Sequence, residues 1–175
     1  TEINDPNAVA IATSNKQNQP NVRMVLLKGL SDKGFVFYTN FNSKKGGELK
    51  ENQKASMCFH WKSIRRQVRI IGKVEEVTAK EADEYYNSRP YKNRISAWAS
   101  SQSQILDKRD TFLSKIKEFE KKYPDQNNVP RPPHWSGWRI LPEEIEFWVD
   151  GEGRIHERLN YKKNNGKWEK ELLYP

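Results

Sequence analysis

The chain has a single cysteine, Cys58, in 175 residues. An intrachain disulfide is excluded, and so is a metal site built from several thiolates. Cys58 stands in an apolar, strand-like run, which suits a small buried hydrophobe better than a reactive thiol. Histidine is nearly as scarce. His60, His134 and His156 show no His-Glu-x-x-His or other ligand spacing, so no bound metal is expected. No apolar stretch approaches the roughly 20 residues that cross a bilayer as a helix. No signal-peptide pattern opens the chain. The expectation is a cytoplasmic protein without membrane contact. Thr1-Glu2-Ile3-Asn4 carries no methionine, so a preceding segment is expected. Gly-x-Ser-x-Gly, the Walker loop and Gly-x-Gly-x-x-Gly are also missing. Any redox or group-transfer chemistry then belongs to a bound cofactor rather than to a side-chain nucleophile.

The length suits one domain with a full hydrophobic core. Six tryptophans and an aromatic share of 11% argue against disorder. Lys and Arg number 31 against 23 Asp and Glu, a net charge of +8. Such a balance favours an anionic partner. Nucleic acid, anionic lipid and a phosphorylated small molecule all match the charge, and so does a merely soluble basic protein.

Strand signals fall at Val9 to Thr13, Val22 to Lys28, Phe35 to Thr39, Ala55 to Trp61 and Gln67 to Val77. The turn Ser31-Asp32-Lys33-Gly34 predicts that the second and third of these form a hairpin. Gly72 predicts a bulge or bend in the fifth. Further strands are expected at Gly137 to Leu141, Ile145 to Val149, Arg154 to Tyr161 and Lys167 to Leu173, the last pair joined by the turn Asn164-Asn165-Gly166. Ser43 predicts a helix start running to about Glu51. Thr78 with Glu81 predicts a capping box ahead of a helix ending at Arg89-Pro90. Two more helices are expected over Tyr91 to Ser100 and Asp107 to Tyr123. Mostly antiparallel strands with helices inserted in the middle make a mainly β chain with helices (α+β), a small barrel with helical cover.

Several segments carry cations in patterned positions. If Arg154 to Tyr161 is one strand, Arg154, His156, Arg158 and Asn160 share a face. That face is either solvated or built to grip an anion, since the arginine fork suits phosphate. Arg23-Met24-Val25-Leu26-Leu27-Lys28 brackets an apolar strand with charge. Tyr38-Thr39-Asn40 runs into Ser43-Lys44-Lys45, a helix start with a hydroxyl and two lysines, which favours phosphate. Arg65-Arg66-Gln67-Val68-Arg69 is another basic cluster. Tyr85-Tyr86-Asn87-Ser88-Arg89-Pro90 ends a helix with aromatics and an arginine. Ser100-Ser101-Gln102-Ser103-Gln104 is a loop of small donors. Trp135, Trp138 and Trp148 read first as core.

In this order, together with Ala97-Trp98-Ala99-Ser100 and Ile145-Glu146-Phe147-Trp148, these segments resemble the pyridoxamine 5'-phosphate oxidase family over nearly the whole chain. The resemblance implies a single domain over 1–175, an FMN-binding split β-barrel. Its C-terminal dimerisation and substrate region would span about 132–175, with FMN at a homodimer interface. It implies cofactor contacts from Arg23, Met24, Val25, Leu26, Leu27, Lys28, Tyr38, Thr39, Lys44, Lys45, Gln67, Gln102, Ser103, Trp148 and Arg158. It implies substrate contacts from Lys28, Tyr85, Arg89, Asn93, Arg154 and His156, with Arg154 and His156 against the reacting ring. The implied reaction oxidises pyridoxamine or pyridoxine 5'-phosphate to pyridoxal 5'-phosphate, with O2 reduced to H2O2. The sequence departs from the family pattern at Asn93 (usually serine), at Lys44 (commonly arginine) and at Leu172, where the usual ending is Arg-Leu-x-Pro. A segment that folds over the substrate in the family is not seen ahead of Thr1. A flavin-binding split-barrel reductase of another substrate is the alternative. A non-enzymatic nucleic-acid module fits less well, because the cations are scattered over many strands rather than gathered in a stripe.

Overall fold

Period-two burial shapes the first strands and the fifth in the computed structural model, which describes residues 2–175. Thr1, with the expectation of a segment before it, lies outside the described residues. In β1 (Ala8–Ser14), Val9, Ile11 and Thr13 are buried while their neighbours are half-exposed. β2 (Pro20–Leu26) pairs antiparallel with β1 from Ala8↔Leu26 to Ser14↔Pro20. The connecting turn is held by Asn15, whose side-chain oxygen accepts the Gln17 and Gln19 amides, both at 3.0 Å.

The expected hairpin is therefore corrected. The turn at Ser31 to Gly34 joins β4 (Gly34–Asn40) to a short β3 (Gly29–Ser31) instead. The chain changes partner between two residues. The Leu27 amide donates to Asn7 O at 2.8 Å, and the Lys28 amide donates to Val36 O at 2.8 Å.

β5 (Lys54–Trp61) pairs with β1 and with β6 (Arg66–Glu76). Gly72 makes no bulge in the β5 ladder, whose register runs unbroken from Lys54↔Lys73 to Trp61↔Arg66. Glycine is required there by a close approach: a Cβ would lie 2.0 Å from Leu141 O. The two strands expected after residue 137 are one, β7 (Trp135–Val149). Pro142 lacks an amide donor but tolerates the extended path, so it does not break the strand. β8 (Glu157–Asn164) and β9 (Lys167–Leu172) follow as a hairpin. Asn165 (φ 48°) and Gly166 (φ 81°) take the left-handed conformations that a tight hairpin turn demands.

Among the described residues, nine strands form one sheet in the order β2-β1-β5-β6-β7-β4-β3, with β8 on β7 and β9 on β8. The described residues also form the α-helices α1 (Lys44–Glu51), α2 (Ala79–Ser88), α3 (Tyr91–Ala99) and α4 (Arg109–Lys122). The capping box of α2 is present as expected. Thr78 Oγ1 accepts the Glu81 amide, and the Glu81 carboxylate accepts the Thr78 amide.

Two compact units divide the chain. One comprises the chain up to Phe37, Glu48–Glu75 and Trp138–Pro175, and the other Tyr38–Gly47 and Glu76–Gly137. The first has its core in Val9, Ile11, Phe37, Leu49, Met57, Ile70 and Trp138. The second is built on Tyr86, Ile95, Ala97, Val129 and Trp135. Cys58, expected to be buried, is half-buried on β5. Burial pushes its thiol above the usual pKa, which lowers the fraction present as thiolate. Among the described residues, no helix is long and apolar enough to cross a membrane. No group of three or more His, Cys, Asp or Glu is placed there to hold a metal ion.

Candidate active site

The second unit holds two clusters of the expected site residues. The first lies where β4 runs into α1. Ser43 caps the helix, its Oγ accepting the Gly46 amide at 3.3 Å. Lys45, one residue into the helix, is buried and donates from Nζ to Gln102 Oε1 at 2.8 Å and to Ser43 Oγ at 3.3 Å. Thr39 Oγ1 donates to the same Gln102 oxygen at 3.2 Å. The structure thus joins Thr39, Lys45 and Gln102, which are far apart in sequence, at a helix N-terminus. An ammonium, hydroxyls and a helix N-terminus in one place suit an anion. Lys44 is exposed beside them. Ser103 is exposed in the loop after α3, at φ 71°.

The second cluster is aromatic. Tyr38 and Tyr85 stack with ring centroids 4.0 Å apart, and Tyr38 and Trp135 with theirs 5.3 Å apart. The Arg89 guanidinium lies over Trp135 at 4.7 Å. Such a contact holds the planar cation flat. Arg89 Nη1 is buried and has no hydrogen-bond partner among the described residues, and burial depresses the pKa of the group. A buried, unsatisfied cationic donor is costly unless an anion completes it. Trp135 is core, as its sequence context suggested, but it also carries Arg89, which the sequence did not reveal. Asn93 is exposed on α3, where its backbone carbonyl accepts the Ser96 hydroxyl at 3.0 Å.

The remaining expected residues belong to the first unit. Along β2, Met24 and Leu26 are exposed, Arg23, Val25 and Leu27 are half-buried, and Lys28 just beyond is exposed. Arg23 donates to Thr13 Oγ1 and reaches Glu48 Oε2 at 3.3 Å. Buried Glu48 also accepts from the Asn21 side chain. Neither Glu48 nor Thr13 was among the sequence candidates. Gln67 is half-buried on β6 opposite His60.

The C-terminal run departs from its expected form. Arg154 is not in a strand. Glu152–Arg154 is a turn of 3-10 helix with Gly153 (φ 63°) and Arg154 (φ 65°) both left-handed, and the strand begins at Glu157. Alternation therefore governs Arg158 and Asn160 but not Arg154 and His156. Those two nevertheless line one concavity with Arg65, Arg66 and Asp150. The His156 ring packs on Trp148 at 4.7 Å. Its Nδ1 accepts the Gly151 amide at 3.2 Å, while Asp150 Oδ1 lies 3.3 Å from the same nitrogen. A neutral ring satisfies one of these at a time. In the Nε2–H tautomer Nδ1 accepts a hydrogen bond from the Gly151 amide, whereas in the Nδ1–H tautomer it donates to Asp150 Oδ1. Asp150 is itself bound by Arg65 Nε at 2.7 Å.

Arg158 is held most firmly. Its Nε and Nη2 donate to the two oxygens of Glu146 at 2.9 and 3.0 Å, and its Nη1 donates to Tyr174 O at 2.9 Å. Arg69 Nη1 adds a third bond to Glu146 at 3.0 Å. The Arg158 hydrogen bonds hold the Glu146 carboxyl below the usual range against the opposing effect of burial, and Glu146 in turn raises Arg158.

A mainly β sheet with these helices and clusters is a split-barrel protein, and known structures bear this out. An FMN-binding, pyridoxamine 5'-phosphate oxidase-related protein from Nostoc punctiforme PCC 73102 shares the fold at a TM-score of 0.79 and 17% identity, over 99% of this chain and 90% of that one. PhzG from Burkholderia lata 383, solved with tetrahydrophenazine-1-carboxylic acid, reaches a TM-score of 0.92 at 30% identity, over 98% and 83%. Residues 1–123 match the family described as pyridoxamine 5'-phosphate oxidase. Residues 135–175 match the pyridoxine 5'-phosphate oxidase C-terminal dimerisation region. The pyridoxine/pyridoxamine 5'-phosphate oxidase of Pelagibacter ubique is 62% identical over 100% of this chain and 85% of its own length. That of Agrobacterium fabrum is 54% identical with the same coverage. The chain belongs to the pyridoxamine 5'-phosphate oxidase family, a family of oxidoreductases.

Proposed function

We propose that the protein oxidises pyridoxamine 5'-phosphate or pyridoxine 5'-phosphate to pyridoxal 5'-phosphate, as an FMN-dependent homodimer that reduces O2 to H2O2. The observation that carries the substrate class is Arg89. Its guanidinium is stacked on Trp135 with Nη1 buried and unsatisfied, which is a donor awaiting an anion such as a phosphate ester. The names of the relatives at 62% and 54% identity support the same chemistry. The match of residues 135–175 to a dimerisation region supports two copies.

The residues present also fit FMN. Lys45, Thr39 and Ser43 at the start of α1 form a receptive place for a phosphate. Exposed Met24 and Leu26 on β2 offer apolar surface to a ring. Arg158, Gln67, Gln102, Ser103 and Trp148 complete the proposed cofactor set. Lys28, Tyr85, Arg89 and Asn93 are proposed for the substrate phosphate. Bound FMN supplies the acceptor for the hydrogen and electron pair leaving the substrate C4' atom. For the alcohol substrate, O2 is consumed and H2O2 and the aldehyde are formed. For the amine, water enters and ammonia also leaves. Arg154 and His156 serve as electrostatic and orienting groups at the pyridine ring, since hydride transfer needs alignment more than a strong base.

The test is a titration of apoprotein with FMN, followed by quenching of flavin fluorescence. Saturable binding with one FMN per chain is expected. Protein that remains colourless and leaves FMN fluorescence unchanged contradicts the proposal.

A further inference from the structure

We propose that Glu146 is a positioning residue of the cofactor site that acts through Arg158, with Arg69 as its second cation. The inference rests on the reading above that Arg158 contacts the flavin. Glu146 stands on β7 opposite Asn160 of β8, and Arg158 stands opposite Trp148. Glu146 and Arg158 are therefore diagonal neighbours across an antiparallel pair, within reach of long side chains. The Glu146 side chain is only 4% exposed. A carboxylate that deep is tolerated only when its oxygens are fully bonded. Glu146 Oε1 accepts Arg158 Nε, and its Oε2 accepts both Arg158 Nη2 and Arg69 Nη1.

The consequence falls on Arg158. A guanidinium has five N–H donors. Two are fixed in a fork on Glu146 and one on the Tyr174 carbonyl. Two N–H groups remain, and their direction is set by the fork. One carboxylate against two arginines leaves a net positive charge. Arg69 side chain is 42% exposed and Arg158 25%, so that charge is accessible to an anionic or carbonyl-rich ligand. Glu146 thus does two things at once: it orients Arg158 and keeps two like charges together.

A double-mutant cycle on FMN affinity tests this, with apoprotein and FMN titrated by fluorescence. Glu146→Gln is expected to weaken FMN binding about tenfold while Arg158 is present, the loss typical of a disrupted charged hydrogen-bond pair. In an Arg158→Met background the same change is expected to alter affinity by less than about twofold. Equal weakening in both backgrounds, or none with Arg158 present, overturns the proposal. If Glu146→Gln does not fold, Glu146→Asp takes its place in the cycle. It keeps the charge but is one methylene short of the fork, so a smaller loss that again vanishes with Arg158→Met is expected. An Arg158→Met protein that binds FMN as tightly as the parent refutes instead the placement of Arg158 at the cofactor, and so separates the two failures.

Discussion

Replacing Arg89 with lysine should damage substrate binding and spare both folding and turnover. Arg89 Nη1 is buried without a partner, and the guanidinium stacks on Trp135 at 4.7 Å. The cost of burying that donor is already borne by the free protein, so its return comes only with the ligand. A hydrogen bond from a charged group contributes about 1.5–3 kcal/mol. Stacking on an aromatic face adds about 0.5–2 kcal/mol of orientation. Lysine keeps the charge but loses the fork and the flat stacking. Taking the hydrogen-bond range alone, at about 1.36 kcal/mol per tenfold, KM should rise about 10–160-fold. The phosphate is remote from the reacting C4' carbon, so kcat should stay within about threefold. The melting temperature should change little, because lysine keeps a cation at this half-buried position and gives up only the flat contact with Trp135. Steady-state peroxide formation and a thermal melt of the same sample give all three numbers. A fall in kcat at unchanged KM, or a loss of several degrees with KM unchanged, would refute the assignment and make Arg89 a structural residue.

Other expectations follow from single positions. Gly72→Ala places a Cβ 2.0 Å from Leu141 O, so backbone must move; a loss of about 1–3 kcal/mol is expected, read as a melting temperature lower by about 2–10 °C. Arg154 holds φ 65°, a conformation that costs an L-residue about 1 kcal/mol and glycine almost nothing. Arg154→Gly should therefore leave the melting temperature nearly unchanged while turnover collapses, and a large loss of stability would show that the side chain is structural. Glu146 is held below its ordinary pKa, first by Arg158. Its pairing is fully present above the ordinary carboxylate range. As pH falls through and below that range, the unfolded chain binds a proton that folded Glu146 resists, and stability declines. Denaturant melts from pH 6 to pH 3 should show that decline, and Glu146→Gln should flatten it; equal slopes in both proteins would contradict the pairing.

Local signals announced much of this structure. The Thr78–Glu81 capping box lies within four residues and was legible at once. So was the Asn164-Asn165-Gly166 turn, whose left-handed residues are named by their types. Features that depend on distant chain were not. Gly72 is small because of Leu141, and nothing near it says so. The Leu27-to-Lys28 change of partner needs Asn7 and Val36 to be in place. Alternation correctly put Arg158 and Asn160 on one strand face, but the Gly-Glu-Gly approach to Arg154 is a turn, which a period-two pattern cannot register. Glu146 was visible inside Ile145-Glu146-Phe147-Trp148, yet its partner Arg69 stands 77 residues earlier. Asp150 and Trp135 likewise acquire meaning only beside His156 and Arg89.

O2 uptake, H2O2 release and pyridoxal 5'-phosphate formation can be followed together in one reaction of FMN-loaded protein with pyridoxine 5'-phosphate. The three should change in equal amounts, and pyridoxamine 5'-phosphate should do the same with ammonia released. An FMN-loaded protein that consumes no O2 and leaves both substrates unoxidised would contradict the proposed activity.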